Sequence, residues 1–172
     1  MSKAFTKDDG ADDGPIVPSR PPLAAGVANY VTPGGLAALR AELHELEAER
    51  SGIGSRPEGS DRRRASAALT ARLAELTARI GSAVVVDPAS QPHDEVRFGA
   101  TVTVVARVGT DAGVERRYRI VGVDEADVAR GRVAFVAPLA RALLGKRVGD
   151  EATLRTPRGE EELEVVSIAY EP

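Results

Sequence analysis

Two stretches of the chain repeat apolar residues at helical spacing. Leu36, Leu39, Leu43 and Leu46 recur every three or four positions, with Arg40, Glu42, Glu45, Glu47, Glu49 and Arg50 between and after them. One narrow apolar seam on a charged surface predicts a helix over 33–50. Thr32 suits the N-cap and Pro33 the first helical position. Leu69, Leu73, Leu76 and Ile80 form a second seam over 62–82, where Ala65, Ala67, Ala68, Ala71, Ala74 and Ala78 favour helix. Gly52, Gly54, Pro57 and Gly59 interrupt the two. Two narrow seams joined by a short breaker predict an antiparallel coiled-coil hairpin occupying 30–87.

The pattern changes after Val84. Asp87, Pro88 and Pro92 mark a linker over 88–93. Residues 96–107, 116–123 and 133–136 are rich in Val and Ile alternating with polar residues and predict strands. Residues 109–113 suit a hairpin turn. Pro138 to Leu144 predicts a short helix with Leu139, Leu143 and Leu144 inward. Residues 151–155 and 161–170 predict a closing hairpin around Pro157, Arg158 and Gly159. The fold class is therefore α+β: a helical hairpin, then an antiparallel β domain over 94–172 with one short helix.

Residues 1–29 carry Asp8, Asp9, Asp12 and Asp13, then Pro15, Pro18, Pro21 and Pro22, without periodicity. That composition predicts a disordered tail rather than a secretory signal. Apolar residues make up 42% of the 172 and aromatics only 3%, so the core must be aliphatic. No apolar run reaches the ~18 residues a membrane span needs. The absence of cysteine excludes disulfides and Cys-type zinc sites and fits a reducing cytoplasm. A net charge of −3 argues against binding nucleic acid by charge alone. His44 and His93 have no neighbour at ligand spacing and read as surface residues. No P-loop or hydrolytic triad pattern is present.

Particular segments carry a resemblance. NYVTPGGLAALRAELHELEAER at 29–50 resembles the start of the first helix of the GreA/GreB family of transcript-cleavage factors. VRFGATVTV at 96–104 resembles the first strand of that family's C-terminal domain. YRIVGVDEAD at 118–127 and APLARALLGKRVGDEATLRTPRGEEELEVVSIAY at 137–170 are similar to it almost without gaps. MSKAFTK and LARALLGK lean towards GreB. The resemblance implies an FKBP-like C-terminal domain that docks at the secondary channel of bacterial RNA polymerase, and a coiled coil that enters the channel. It also implies an acidic tip helping to hold the polymerase's second Mg²⁺, a hard cation that takes oxygen ligands. The polymerase then carries the chemistry, and the factor is no enzyme and needs no cofactor of its own. The implied factor is monomeric, touches nucleic acid only indirectly and does not meet a membrane.

The sequence departs from that pattern at the tip. The family places Asp and Glu three residues apart, whereas SGIGSRPEGSDRRRAS at 51–66 offers only Glu58 and Asp61, in reverse order, beside Arg62, Arg63 and Arg64. The seams also imply that about seven residues are missing from each helix, roughly 10 Å of reach at ~1.5 Å per residue. One heptad lost from each helix leaves the seam in register. The loop before the short helix reads Val136-Ala137-Pro138, without the polar pair the family tends to carry there.

Candidate site residues follow. Glu58 and Asp61 are either relocated tip carboxylates or a solvated turn in which Asp61 caps the second helix. Arg62, Arg63 and Arg64 either contact nucleic acid or the channel wall, or form a charged helix start that opposes the helix dipole. Pro138, Leu139 and Arg141 are the implied polymerase contacts. Asp124, Glu125 and Asp127 have a metal-loop composition but read as a solvated turn. The expected function is a polymerase-binding elongation regulator that does not stimulate cleavage. The alternatives are a working cleavage factor using Glu58 and Asp61, and an FKBP-like prolyl isomerase or chaperone. The isomerase reading suffers from a supply of only Phe98, Phe135, Tyr118 and Tyr170 in the β domain.

Overall fold

A computed structural model describes residues 20, 22–53, 59–108, 111–157 and 159–171. Strand β1 (Asn29–Val31) leads into helix α1 (Pro33–Ile53). Helix α2 (Ser60–Gly81) returns to strand β2 (Ala83–Val85), which pairs parallel with β1. The amide of Asn29 donates to the carbonyl of Arg79 at 2.8 Å, so the start of α1 and the end of α2 lie side by side. The helices therefore run in opposite directions. Leu39, Leu46, Ile53, Leu69, Leu73 and Leu76 are buried between them, with Leu36, Leu43 and Ile80 packed at the margin.

The sheet domain has strands β3 (Thr101–Ala106), β4 (Glu115–Val121) and β5 (Arg132–Ala134), helix α3 (Pro138–Leu143), then β6 (Glu151–Thr156) and β7 (Gly159–Ala169). Their order across the sheet is β5-β4-β3-β7-β6. Val102 and Val104 of β3, Leu163 and Val165 of β7, and Ala140 and Leu143 of α3 meet in one aliphatic core. Each fully buried side chain of Val or Leu size contributes roughly 1.5–3 kcal/mol.

Four expectations need correction. The sheet is mixed: β4 and β5 pair parallel, because two short 3₁₀ turns between them carry the chain back across the sheet end. The strand expected from Val96 begins only at Thr101. Gly99 adopts φ +85°, and a Cβ there would stand 2.6 Å from Cγ of buried Pro88. The backbone of Val96 instead pairs with Gly145 and Lys146. Asp61 does not cap α2: Gly59 occupies the cap without a side-chain bond. The expected tail, 1–29, lies mostly outside the described residues, but Arg20 makes ion pairs and Asn29 is buried in β1.

The two parts of the molecule meet at an aromatic contact. Tyr30 of β1 packs on Phe98 and Phe135, with ring centroids 5.8 and 5.5 Å away. The rings of Phe98 and Phe135 lie edge to face at 5.8 Å.

Candidate functional site

At the far end of the helical pair, Glu58 lies outside the described residues. Asp61 is exposed in the first turn of α2, and its carboxylate pairs with Arg64 at 2.6 Å. Both partners are exposed, so this is a surface pair of about 0–1 kcal/mol. Arg63 and Arg64 are exposed and Arg62 is half-buried, so this end of α2 presents positive charge. At the other candidate surface, Pro138 opens α3 with Arg141 one turn on, and both are exposed. Leu139 is half-buried and packs on the sheet core. The docking candidates therefore sit on a short helix anchored from below by Ala140 and Leu143.

The acidic run after β4 is not a solvated turn. Glu125 is buried at 9% exposure, and the Asp124 side chain is 3% exposed. Glu125 Oε1 accepts from the backbone N–H of Thr32 at 2.9 Å and of Gly122 at 3.3 Å. Its Oε2 accepts from the Thr32 hydroxyl at 2.5 Å, while that hydroxyl accepts from the N–H of Gly35 at 3.0 Å. Asp124 accepts from Arg20 at 3.0 Å and lies 3.3 Å from Nε of Arg79, the basic residue of the last turn of α2. Only Asp127 behaves as a turn residue, taking the backbone N–H of Arg130. Buried carboxylates persist where ion pairs or hydrogen bonds compensate them: Asp124 has two arginines, and Glu125 has the hydrogen bonds of Thr32 and Gly122. They were missed because every partner outside their own turn lies far away in sequence.

Arg20 also donates to Glu42 of α1. Burial alone would lower the Arg20 pKa, but Glu42 and Asp124 outweigh it and hold the group above its ordinary value. Around this cluster runs a cleft of about 580 Å³, lined by Arg20, Pro33, Glu42, Arg119, Arg132 and their neighbours. Among the described residues no aromatic side chain lines it. His44 and His93 are exposed, and His93 stacks on Tyr170 with ring centroids 4.6 Å apart. Among the described residues no group of three or more His, Cys, Asp or Glu is placed to hold a metal ion. Among them, too, no helix is long and apolar enough to cross a membrane.

Comparison with known proteins places this architecture. The family model for the transcription elongation factor GreA/GreB C-terminal domain matches residues 91–170. The chain is 40% identical to transcription elongation factor GreB of Neisseria meningitidis serogroup B, over 86% of this chain and 98% of that protein. The chain belongs to the GreA/GreB family of transcription elongation factors. It is also 35% identical to GreA of Psychrobacter arcticus, over 82% of this chain and 97% of that one. GreA factor homolog 1 of Thermus thermophilus aligns with 83% of this chain and 99% of its own at 22% identity and a TM-score of 0.39. A superposition at that score adds nothing to the assignment.

The alignments with GreB and GreA share a shortfall. The GreB alignment spans 163 positions, yet 86% of 172 residues is about 148, which leaves about 15 positions without a residue here. The GreA alignment spans 156 positions against 82% of the chain, about 141 residues, and leaves the same deficit. That deficit has the size of two heptads.

Proposed function

We propose that this GreA/GreB-family protein is an RNA polymerase-binding elongation regulator that does not stimulate transcript cleavage. Its FKBP-like sheet domain docks at the rim of the secondary channel of bacterial RNA polymerase through Pro138, Leu139 and Arg141. Its helical pair, an antiparallel coiled coil, points into the channel. The protein acts as a cytoplasmic monomer and meets nucleic acid only indirectly, through Arg62, Arg63 and Arg64 at the tip.

The observation that carries this reading is the shortfall of about 15 aligned positions. Placed in the two helices, where the spacing of the leucine seams puts it, the shortfall removes roughly 10 Å of reach at ~1.5 Å per residue. Oxygen ligands sit within about 2.1 Å of Mg²⁺, so a carboxylate held 10 Å short cannot contribute. The chemistry of the tip points the same way. Asp61 is already paired with Arg64, and a second cation is disfavoured beside Arg62 and Arg63. The isomerase alternative finds no support, because the aromatic rings at the joint pack tilted or edge to face on one another and, among the described residues, none lines the cleft.

The test is a transcript-cleavage assay on stalled, backtracked elongation complexes. The protein alone leaves the transcript intact, and in excess it suppresses cleavage stimulated by an acidic-tipped GreA or GreB. Mg²⁺-dependent cleavage by the protein, lost on Asp61→Ala or Glu58→Ala, would replace this reading with that of a working factor. A chimera with one heptad restored to each helix and a family-type acidic tip should gain cleavage. If it binds polymerase but stays inactive, reach and tip charge do not account for the difference.

A further inference from the structure

Three parts of the chain converge on the Asp124 carboxylate. Asp124 itself follows β4, Arg79 comes from the last turn of α2, and Arg20 comes from the segment preceding β1. Arg20 reaches further, because its other terminal nitrogen holds Glu42 of α1. One guanidinium thus ties the sheet domain to a helix, and its side chain is only 18% exposed. A planar fork can hold two carboxylates at once, and a half-buried pair is screened by salt less than a surface one.

The position of Glu42 gives this tie its meaning. Glu125 on Thr32 and the rings of Tyr30, Phe98 and Phe135 hold the beginning of α1. These contacts, and the Arg79–Asp124 pair at the end of α2, all lie at the base of the helical pair, and nothing among them holds α1 further along its length. Glu42 stands about 14 Å along α1 from Pro33 at ~1.5 Å per residue. A tie there is a second attachment, and it selects one direction.

We infer that Arg20 and Asp124 are positioning residues, and that Arg20, bridging Asp124 and Glu42, is a strap setting the direction in which the helical pair leaves the sheet domain. The strap itself is independent of what the helices reach. Its consequence for polymerase rests on the function proposed above, since a short hairpin that points astray no longer occupies the channel.

The chain has no cysteine, so a pair of introduced ones can be spin-labelled cleanly. Glu49→Cys on α1 and Thr153→Cys on β6 are exposed positions on the two parts. In the full-length parent, pulsed electron paramagnetic resonance should give a single narrow distance. Arg20→Ala and Glu42→Gln should each lose that narrow peak while circular dichroism and the main thermal transition stay in place. Asp124→Asn should lose it as well. If Asp124→Asn fails to fold, the other two variants still decide. A role confined to stability would lower the thermal midpoint and leave the peak narrow. Distributions for Arg20→Ala and Glu42→Gln that superimpose on the parent would overturn the strap.

The same variants then enter the competition assay with an acidic-tipped cleavage factor. Loss of the narrow peak together with weaker competition supports both inferences. Loss of the peak with undiminished competition leaves the strap standing and overturns the channel reading. Weaker competition with an intact narrow peak overturns the strap.

Discussion

Glu125 completes the N-terminal cap of α1 from 93 residues away. Thr32 is the cap residue, and its hydroxyl accepts from the N–H of Gly35 at 3.0 Å. In a capping box the third helical residue is Glu or Gln, and its side chain accepts from the N–H of the cap. Here that residue is Gly35, which has no side chain. The Glu125 carboxylate fills the space: a Cβ on Gly35 would stand 2.1 Å from Cδ of Glu125. The reciprocal half of the cap, on the Thr32 N–H, therefore forms only when the sheet domain is docked against the helix. Glu125→Ala should cost about 2–4 kcal/mol, the range for stranding buried donors bonded to a charged group. The midpoint of urea unfolding measures it, and a loss below about 0.5 kcal/mol would mean that the cap is satisfied some other way.

The glycines at the start of α1 should respond in opposite senses. Gly35→Ala collides with Glu125 and should destabilise by about 1–3 kcal/mol, the usual cost of overpacking. Gly34→Ala meets only Oγ1 of Thr32 at 3.7 Å, and should be neutral or gain up to about 1 kcal/mol from helix propensity. In the Glu125→Ala background the sign at position 35 should reverse. Gly35→Glu then rebuilds a local capping box and recovers part of the loss. A double-mutant cycle with no coupling would refute the shared-space account.

Tyr170 ties the end of β7 to the start of the sheet domain. Its hydroxyl donates to the carbonyl of Glu95 at 2.6 Å and accepts from the N–H of Arg97 at 3.0 Å. Burial raises its pKa above the ordinary 10.0, with Glu95 and Asp94 adding to the rise and Arg97 opposing it. The neutral phenol is thus the form the fold prefers. Its contribution is complete below pH 10 and is lost as pH climbs through the raised folded value. Wild type should lose stability above pH 10 more steeply than Tyr170→Phe. The difference in absorbance titration at 295 nm between the two should show a midpoint above 10.

Pro138 and Arg141 stand exposed on α3, whose buried side holds Ala140 and Leu143. The double variant Pro138→Glu, Arg141→Glu should leave thermal stability within about 0.5 kcal/mol of the parent, since neither side chain supports the core. Binding to RNA polymerase should weaken at least about tenfold, close to 1.4 kcal/mol. Unchanged affinity in a pull-down or fluorescence titration would remove this surface from the interface.

The seams of α1 and α2 were legible because each is a local pattern. A helix brings residues three and four apart to one face, so Leu39 and Leu76 announce their burial through their own neighbours. The alternation of Val102, Val104 and Ala106 did the same for β3. The same logic failed at Val96 and Phe98. They continue the apolar pattern, but Gly99 turns the chain against Pro88, and no periodicity records that approach.

Sequence alone determined the fold class, the two seams, the reversed carboxylates at the tip and the family resemblance. All of these depend on residue identity and short spacing. Only the tertiary structure decided what Asp124 and Glu125 do. Read locally, an acidic run beside a turn belongs in water. Its burial is set by Thr32, Arg79 and Arg20, which chain crossings bring to it over separations of 93 residues for Thr32 and 104 for Arg20. The parallel pairing of β4 with β5 belongs to the same category. A strand's composition reports how its faces are buried, whereas its direction relative to a neighbour depends on the path of the chain between them.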